Sequence, residues 1–207
     1  MIVTLIRHAE STGNAGMATV GPSVIELTEN GVSQAEELAN TWTESPTLIV
    51  ISPYLRTKLT AQPTIERFPQ VPVEEWPVQE FTYLDPVRWR GTTMAERLPA
   101  VESFWKSGDP AYRDSSATEC FSDLLRRAEG LLGRLAKLPA NSRVLIFTHG
   151  QFMQAVRLTL LMPKETDAAK LNTFRAFDNE YPLSNCAFFS LTDVCNSVAW
   201  RPDDASS

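Results

Sequence analysis

The chain has 207 residues, of which 43% are hydrophobic and 21% charged, and this composition is typical of a globular protein with one large core. Its formal net charge of −6 argues against general nucleic-acid binding, which depends on clustered Lys and Arg. The widely spaced cysteines Cys120, Cys186 and Cys195 predict neither a disulfide framework nor a zinc site. The opening apolar run is too short for a signal peptide and no run is long enough to span a bilayer, so we expect a soluble cytoplasmic protein without membrane contact.

The first predicted strand is the apolar run from Ile2 to Ile6, which stops at the pair Arg7-His8. Such a run, followed by polar residues, is typical of a buried parallel strand that feeds a loop. A polar loop follows from Glu10 to about Glu26. Apolar residues then recur at helical spacing from Val32 to Trp42, and Thr28 is the expected N-cap of that helix.

A second strand is predicted from Thr47 to Ile51, and Ser52-Pro53 ends it. The helix after it covers Leu55 to Phe68, so that Arg56 falls in its first turn. Two prolines punctuate a third extended stretch, 71–78. Because proline cannot donate to a sheet ladder, this stretch is expected to be an edge strand or an irregular approach to the site.

The alternation of strands and helices fails between Glu80 and about Glu119. Tryptophans, prolines and basic residues occur here without a clear strand. The basic residues are Arg88, Arg90, Arg97, Lys106 and Arg113. We expect residues 81–119 to form a small cap that closes over a pocket and meets a second anionic group. The alternative is a surface excursion whose charges are solvated.

The rest of the chain returns to regular alternation. Helices are predicted at 121–138, 151–161 and 166–177, and strands at 143–147, 186–191 and 197–200, before a frayed tail at 202–207. This order predicts a single α/β domain over residues 1–207. Its expected architecture is a three-layer sandwich with a mainly parallel central sheet flanked by helices.

His8 and His149 are the two histidines of the chain, and each follows an apolar strand at its carboxyl end. Open α/β sheets bind ligands at that edge, so both imidazoles would reach one pocket if the strands are neighbours. Arg7 and Arg56 offer planar donors that match phosphate or carboxylate oxygens, and the helix after Gly150 offers its N-terminus to an anion. Taken singly, each residue has a structural alternative: a hydrogen-bonded core histidine, or a surface ion pair for Arg56.

Four motifs in order resemble those of the histidine phosphatase superfamily, the phosphoglycerate mutase-like proteins. The run Arg7-His8-Ala9-Glu10-Ser11-Thr12-Gly13-Asn14 resembles the signature Arg-His-Gly-Glu-Ser/Thr-x-x-Asn. The later motifs are Leu27-Thr28-Glu29-Asn30-Gly31 through Gln34-Ala35, then Ser52-Pro53-Tyr54-Leu55-Arg56-Thr57-Lys58-Leu59-Thr60-Ala61, and Thr148-His149-Gly150. The resemblance covers about residues 1–190 and implies a phosphoglycerate mutase-like fold.

The resemblance also implies how the phosphoryl group is handled. His8 would be the nucleophile that forms a phosphohistidine, which water then hydrolyses. Arg7, Arg56 and His149 would bind the phosphoryl oxygens, and Asn14 would act as a neutral donor. Ser11 and Gln151 are expected to add further contacts with the substrate.

A general acid is expected between the second and fourth motifs, and Glu80 is the best match. Asp85 is the alternative acid, and a salt bridge is the alternative role for Glu80. Glu10 is expected to hold its loop together. The resemblance implies no cofactor, and two histidines are too few for the usual binuclear metal site of phosphatases.

Three departures from the family pattern put the choice of substrate in doubt. Ala9 stands where the family has glycine, which is tolerable if φ at that position is negative. No aspartate occurs around Val24, ahead of the Leu-Thr pair. Cys120 follows Glu119 where many relatives have Glu-Ser, so a serine contact near the site could be altered.

The sequence therefore predicts a metal-independent phosphatase that hydrolyses a small phosphorylated metabolite. A mutase, which returns the phosphoryl group to another oxygen, is the nearest alternative. The chain is short for a phosphoglycerate mutase, and this favours hydrolysis. A third possibility is a module that binds phosphorylated ligands without turnover. No pattern indicates which substrate enters or what the oligomeric state is.

Overall fold

A computed structural model describes residues 1–192 and the backbone of residues 199–201. Six strands form one sheet in the order β3-β2-β4-β1-β5-β6. The strands are β1 (Ile2–Arg7), β2 (Leu48–Ile51), β3 (Val73–Glu75), β4 (Arg143–Thr148), β5 (Phe188–Thr192) and β6 (Ala199–Arg201). The first four pair in parallel, whereas β5 and β6 are antiparallel to their neighbours. The predicted α/β class with a mainly parallel sheet is confirmed.

Six helices connect the strands, and five of them match predicted helices within a few residues. They are α1 (Glu29–Thr41), α2 (Leu55–Arg67), α3 (Met94–Lys106), α4 (Phe121–Leu135), α5 (Gly150–Leu161) and α6 (Asp167–Glu180). Thr28 caps α1 as predicted, since its side chain accepts from the backbone N–H of Gly31. None of these helices in the described residues is long and apolar enough to cross a membrane.

Helices cover both faces of the sheet, because alternate residues of each strand enter different apolar clusters. Val3 and Leu5 of β1 pack in a cluster with residues of α4, α5 and α6, whereas Ile6 packs in another cluster with α1 and α2. The predicted three-layer sandwich is therefore confirmed. Phe121 and Phe174 are completely buried in the first cluster, and each such side chain contributes about 1.5–3 kcal/mol of transfer free energy.

Segment 81–119 contains a helix, α3, that the sequence did not predict. Pro99 lies inside it, but Thr93 and Glu96 form a capping box at its start. Thr19 and Thr92 form an antiparallel bridge that joins the segment to the loop after β1. Phe104 of α3 packs in the main cluster. The segment is therefore attached both to the core and to the loop after β1.

The predicted tail at 202–207 lies outside the described residues, as do Cys195 and the first two residues of the predicted strand 197–200. Cys120 and Cys186 are both free thiols. The short strand β3 lies at the edge of the sheet, as the two prolines of stretch 71–78 predict.

Candidate active site

His8 and His149 lie side by side because β1 and β4 are neighbouring parallel strands. The register pairs Arg7 with Thr148, so each histidine is the first residue beyond its strand. Their ring centroids are 5.1 Å apart, and their exposed fractions are only 3% and 0%. The geometry thus brings together two residues that are 141 positions apart in the sequence, although His8 lines the cavity described below and His149 does not.

The hydrogen bonds of His8 define which ring nitrogen carries the proton. Nδ1 lies 2.7 Å from the carbonyl oxygen of Ala9, which can only accept, so Nδ1 must donate. Nε2 accepts from Nε–H of Arg56 at 3.0 Å. Burial, reinforced by the positive charges of Arg56 and Arg7, lowers the pKa of His8 well below its usual value. His8 is therefore a neutral imidazole near neutral pH, and its unprotonated Nε2 accepts a hydrogen bond from Arg56.

Arg56 reaches His8 from the first turn of α2, as predicted from its position after β2. Its Nη1 donates to the carbonyl of Pro22 at 2.6 Å, so the guanidinium is fixed from two sides. Thr60, one turn later, accepts from the backbone N–H of Ala9 and donates to the carbonyl of Arg56. Burial lowers the pKa of Arg56 to about 10, which still leaves the group charged at neutral pH.

Arg7 lines the same cavity as His8 and has an uncommitted donor. Its Nη1 donates to the carbonyl of Leu183, whereas its buried Nε has no hydrogen-bond partner in the described residues. A side chain at Gly150 would begin 3.5 Å from this Nε. The glycine thus keeps space beside the guanidinium, although its φ is not in the left-handed region.

His149 is held by Ser52, the residue that ends β2. Ser52 Oγ lies 2.8 Å from Nε2 of His149 and also accepts from the backbone N–H of Tyr54. Nδ1 of His149 is buried and has no partner within the described part of the chain. Burial and the charge of Arg56 lower the pKa of His149 well below its usual value, so the neutral form is favoured. Only a nearby anion would favour its protonation.

Glu80 lies at the N-terminus of α5, within the same cavity. Its Oε1 accepts from the backbone N–H groups of Phe81 and Phe152, at 3.1 and 3.2 Å, and Oε2 accepts from Gln151 at 3.4 Å. The group at this helix N-terminus is thus the side-chain carboxyl of Glu80. Burial raises the pKa of Glu80, against the opposing effects of Arg56, the Phe81 N–H and Arg7.

Asp85, the alternative acid, lines the cavity, but its surroundings shift its pKa in the direction opposite to that of Glu80. Its Oδ1 accepts from the backbone N–H groups of Val87 and Arg88 at 2.8 and 3.2 Å. These hydrogen bonds lower the pKa of Asp85. Its charged form is therefore favoured, which is unfavourable for a proton donor.

The loop after β1 turns Asn14 toward the cavity. Asn14 Oδ1 accepts from the backbone and the hydroxyl of Ser11, at 3.2 and 2.9 Å, and from Asn185 at 3.3 Å. The oxygen is thus fully used, which leaves the Nδ2 group to donate. Asn185 also donates to the carbonyl of His8 at 2.9 Å. Ser11 lines the cavity, but its hydroxyl is committed to Asn14.

Glu10 and Gln151 have contacts that narrow their predicted roles. Glu10 accepts from the hydroxyl of Thr28 at 2.6 Å, and its backbone N–H donates to Gln34, so it ties the loop to α1. Gln151 uses its backbone N–H on Glu80, and a substrate contact would therefore involve its side chain.

The cavity has a volume of about 520 Å³, and its lining includes His8, Arg7, Arg56 and Glu80. Segment 81–119 contributes many of the other lining residues. Of its basic residues, Arg97 lines this cavity, whereas Arg88 and Arg113 form ion pairs with Asp114 and Asp123. In the described residues, no three or more His, Cys, Asp or Glu side chains are grouped so as to hold a metal ion.

A family model described as histidine phosphatase superfamily, branch 1, matches residues 3–179. The chain belongs to the histidine phosphatase superfamily. Among curated proteins it is 28% identical to a metal-independent phosphoserine phosphatase of Arabidopsis thaliana over 163 residues, which cover 76% of this chain and 68% of that protein. The chain is a phosphoric monoester hydrolase of this superfamily, and its homologues are phosphatases.

Solved structures of similar fold include two phosphatases that match nearly the whole histidine phosphatase chain. One is the alpha-ribazole phosphatase of Shigella flexneri, with a TM-score of 0.73 and 20% identity over 98% of this chain and 95% of that one. Another is a phosphoserine phosphatase of Entamoeba histolytica in complex with 3-phosphoglyceric acid, with a TM-score of 0.73 and 24% identity over 96% and 94% of the two chains. At these identities the similarity establishes the phosphoglycerate mutase-like fold.

Two departures from the histidine phosphatase pattern have local explanations. Ala9 is tolerated because, in the described residues, Cys186 is the only non-glycine residue with a positive φ. Cys120 is the N-cap of α4, and its backbone N–H donates to Asp123 at 3.1 Å. Cys120 thus takes part, through its backbone, in capping the N-terminus of α4. Val24 lies exposed in the loop after β1.

Several residues around the histidine phosphatase site were not predicted. Ser52, Tyr54 and Thr60 lie in a motif that resembles the family, but no role was predicted for them. No sequence signal indicated Asn185. Asn185 reaches His8 from a loop near the end of the chain, 177 positions away. Such a contact depends on how β5 pairs with β1, which no local pattern reveals.

Proposed function

We propose that this chain is a metal-independent phosphatase that hydrolyses a small phosphorylated metabolite through a phosphohistidine on Nε2 of His8. The hydrogen bond from Nδ1 of His8 to the Ala9 carbonyl is the observation that carries the proposal. It leaves the Nε2 lone pair directed at the Arg56 guanidinium, where an anionic phosphoryl group would also be attracted. A neutral, fixed imidazole between two arginines is suited to nucleophilic attack on phosphorus.

The phosphoryl oxygens would be bound by donors that the protein leaves uncommitted. These are Nε of Arg7, the Nδ1 position of His149 and Nδ2 of Asn14, together with Arg56. Ser52 would donate to Nε2 of His149 and so keep the proton on Nδ1. The two arginines would supply the positive charge that a metal ion supplies in other phosphatases. Donors fixed before the reaction stabilise charge without reorganisation in the transition state.

Glu80 would act as the general acid. In the first step Nε2 of His8 forms a bond to phosphorus, the bond from phosphorus to the ester oxygen breaks, and the carboxyl proton of Glu80 passes to that oxygen. In the second step a water oxygen attacks phosphorus, the bond from nitrogen to phosphorus breaks, and Glu80 takes back a proton. Its raised pKa supports this role, whereas the lowered pKa of Asp85 argues against Asp85.

Segment 81–119 would form a cap within a single domain of residues 1–207. Its bridge to the loop after β1, between Thr19 and Thr92, supports this assignment, because the two segments share the cavity wall. A cap of this kind excludes water from the phosphoryl group and shapes the space for the leaving alcohol. The cytoplasmic location stays a prediction.

The proposal is tested by phosphate release from p-nitrophenyl phosphate in the presence of a chelator. Wild type and Lys164→Gln, an exposed residue beyond α5, should release phosphate at equal rates, and His8→Ala should release none. Activity that requires added metal, or that survives in His8→Ala, would overturn the mechanism. Isomerisation of a phosphorylated acid with little free phosphate would indicate a mutase. Tight binding of phosphate esters without turnover would indicate a binding module.

A further inference from the structure

Two oppositely charged side chains of α6 line the cavity beyond the phosphoryl site. Arg175 and Asp178 are three positions apart on this helix, so they lie on the same face, and both contribute to the wall that also contains Arg7 and His8. They do not form an ion pair with each other. The proposed mechanism uses neither residue.

Arg175 differs from Arg88, Arg97 and Arg113 of segment 81–119 in its lack of polar side-chain partners. Its guanidinium lies 5.8 Å from the ring centroid of Trp105, and among the described residues no hydrogen bond or ion pair holds it. Arg97, which also lines the cavity, donates to the carbonyls of Thr92 and Thr93 and to the hydroxyl of Thr19. Of Arg97 and Arg175, Arg175 is therefore the arginine whose donors are free for a ligand.

Asp178 supplies a carboxylate close to the phosphoryl site. Burial raises its pKa, while hydrogen bonding from Gln154 and the charges of Arg175 and Arg7 act in the opposite direction. Asp178 and Arg7, the arginine that would bind phosphate, line the same cavity. A cationic group of the ligand would thus find Asp178 in the same cavity as the proposed phosphoryl site.

The wall that segment 81–119 contributes carries two charged side chains, Asp85 and Arg97, and both already have hydrogen-bond partners in the protein. Met94, Leu98 and Val101 of α3 contribute apolar surface to it, and Arg97 is committed to the threonines. A ligand with both an anionic and a cationic group would consequently find its partners on α6. A ligand with a second anion alone would gain Arg175 but would be repelled by Asp178.

We propose that Arg175 and Asp178 bind the carboxylate and the ammonium group of an O-phosphorylated α-amino acid. The inference rests on the proposed function for the phosphoryl step and names its leaving group. An α-amino acid places both charged groups on one carbon, so two side chains one helical turn apart can bind them together. Arg175 and Asp178 are thus specificity-determining residues of the phosphatase.

The experiment compares three substrates that differ by one group. O-phospho-L-serine has both charges, 3-phosphoglycerate has a hydroxyl in place of the ammonium, and phosphoethanolamine lacks the carboxylate. The value of kcat/KM for each is divided by that for p-nitrophenyl phosphate, so that changes in the phosphoryl step cancel. Wild type should prefer phosphoserine by at least about tenfold over each analogue, because each lost ion pair costs about 1.4 kcal/mol or more.

Two variants test which side chain binds which charged group of the substrate. Asp178→Asn should abolish the preference for phosphoserine over 3-phosphoglycerate, and Arg175→Gln should abolish the preference for phosphoserine over phosphoethanolamine. Lys164→Gln, the exposed control, should change neither ratio. Thermal unfolding of each variant checks that it folds. The comparison of substrates on wild type tests the proposal even if a variant fails to fold.

The outcomes separate this inference from the proposed function. Hydrolysis of p-nitrophenyl phosphate that depends on His8, combined with no preference for phosphoserine, would overturn the inference alone. If Asp178→Asn lowers kcat/KM equally for all substrates, Asp178 positions Arg7 and the inference is again wrong. If wild type releases no phosphate at all, calorimetry still decides the inference, since phosphoserine must bind more tightly than 3-phosphoglycerate.

Discussion

Arg56 donates a hydrogen bond from Nε to Nε2 of His8 over 3.0 Å. This contact couples the nucleophile to a permanent positive charge at the place where a phosphoryl group would be held. It has two effects on the imidazole: the lone pair of Nε2 points at the binding site, and the protonated form is disfavoured.

Replacing Arg56 by Gln should raise the pKa of His8. The Arg56 charge lowers that pKa, so its removal favours the imidazolium. Because the nucleophile must be neutral, the acid limb of kcat/KM should move to higher pH. NMR titration of the two histidines, assigned with single His variants, measures the shift directly. Arg126→Gln, an exposed position on α4, is the control, and an unchanged His8 pKa in R56Q would contradict the account.

Replacing Glu80 by Gln should slow esters with poor leaving groups by about a hundredfold to ten-thousandfold, and activated aryl esters much less. A general acid must be protonated, and the raised pKa of Glu80 keeps it protonated to higher pH than an ordinary glutamate. The rate for an alkyl phosphate should fall as pH rises through that pKa, and E80Q should lack this limb. The pH dependence of kcat/KM for an alkyl and an aryl ester provides the measurement. Equal slowing of both esters would count against Glu80 as the acid.

Replacing Ser52 by Ala should impair His149 without removing it. Ser52 is 2.8 Å from Nε2 of His149, and without it the ring can place its proton on Nε2 instead of Nδ1. Loss of one fixed donor to the transition state costs about a hundredfold to a thousandfold in kcat. Steady-state kinetics of S52A against Ser33→Ala, an exposed position in α1, measure the effect. If S52A retains the wild-type kcat, the hydroxyl does not control His149.

Two glycines in helices should respond oppositely to alanine. A Cβ at Gly31 would lie 2.0 Å from the carbonyl oxygen of Glu10, so G31A must displace the site loop and should destabilise by about 1–3 kcal/mol. Gly133 in α4 has nothing within 4 Å, and G133A should stabilise by up to about 1 kcal/mol. Chemical denaturation of both variants checks the difference in free energy of unfolding. A stable G31A would show that α1 and the loop are not packed as described.

Much of the fold and of the site could be predicted from the sequence, because parallel strands bring their carboxyl ends together. His8, His149 and Arg56 each occur directly after a buried strand or in the next helical turn, and local patterns reveal such positions. The helix α3 was missed because Pro99 interrupts its pattern, although the capping box at Thr93 is a readable signal. Glu80 was selected by resemblance, since no periodic pattern distinguishes it from neighbouring acids.

The residues that reach the cavity only through long-range packing could not be predicted. Asn185 contacts His8 only because β5 runs antiparallel beside β1. Arg175 and Asp178 have the composition of an ordinary helix surface, and their place in the cavity depends on how α6 packs against α4 and α5. The basic residues of segment 81–119 were expected to meet an anion, but Arg88 and Arg113 pair with aspartates instead. Charge alone does not reveal which arginine faces a ligand.

The most direct test of the central claim is to trap the phosphoenzyme. Wild type is mixed with an activated phosphate monoester, quenched in alkaline denaturant and digested, and the phosphorylated peptide is sequenced by mass spectrometry. The account predicts an acid-labile phosphoryl group on His8, still formed slowly in His149→Asn and absent in His8→Asn. A phosphoryl group on any other residue, or rapid phosphate release by His8→Asn, would contradict it.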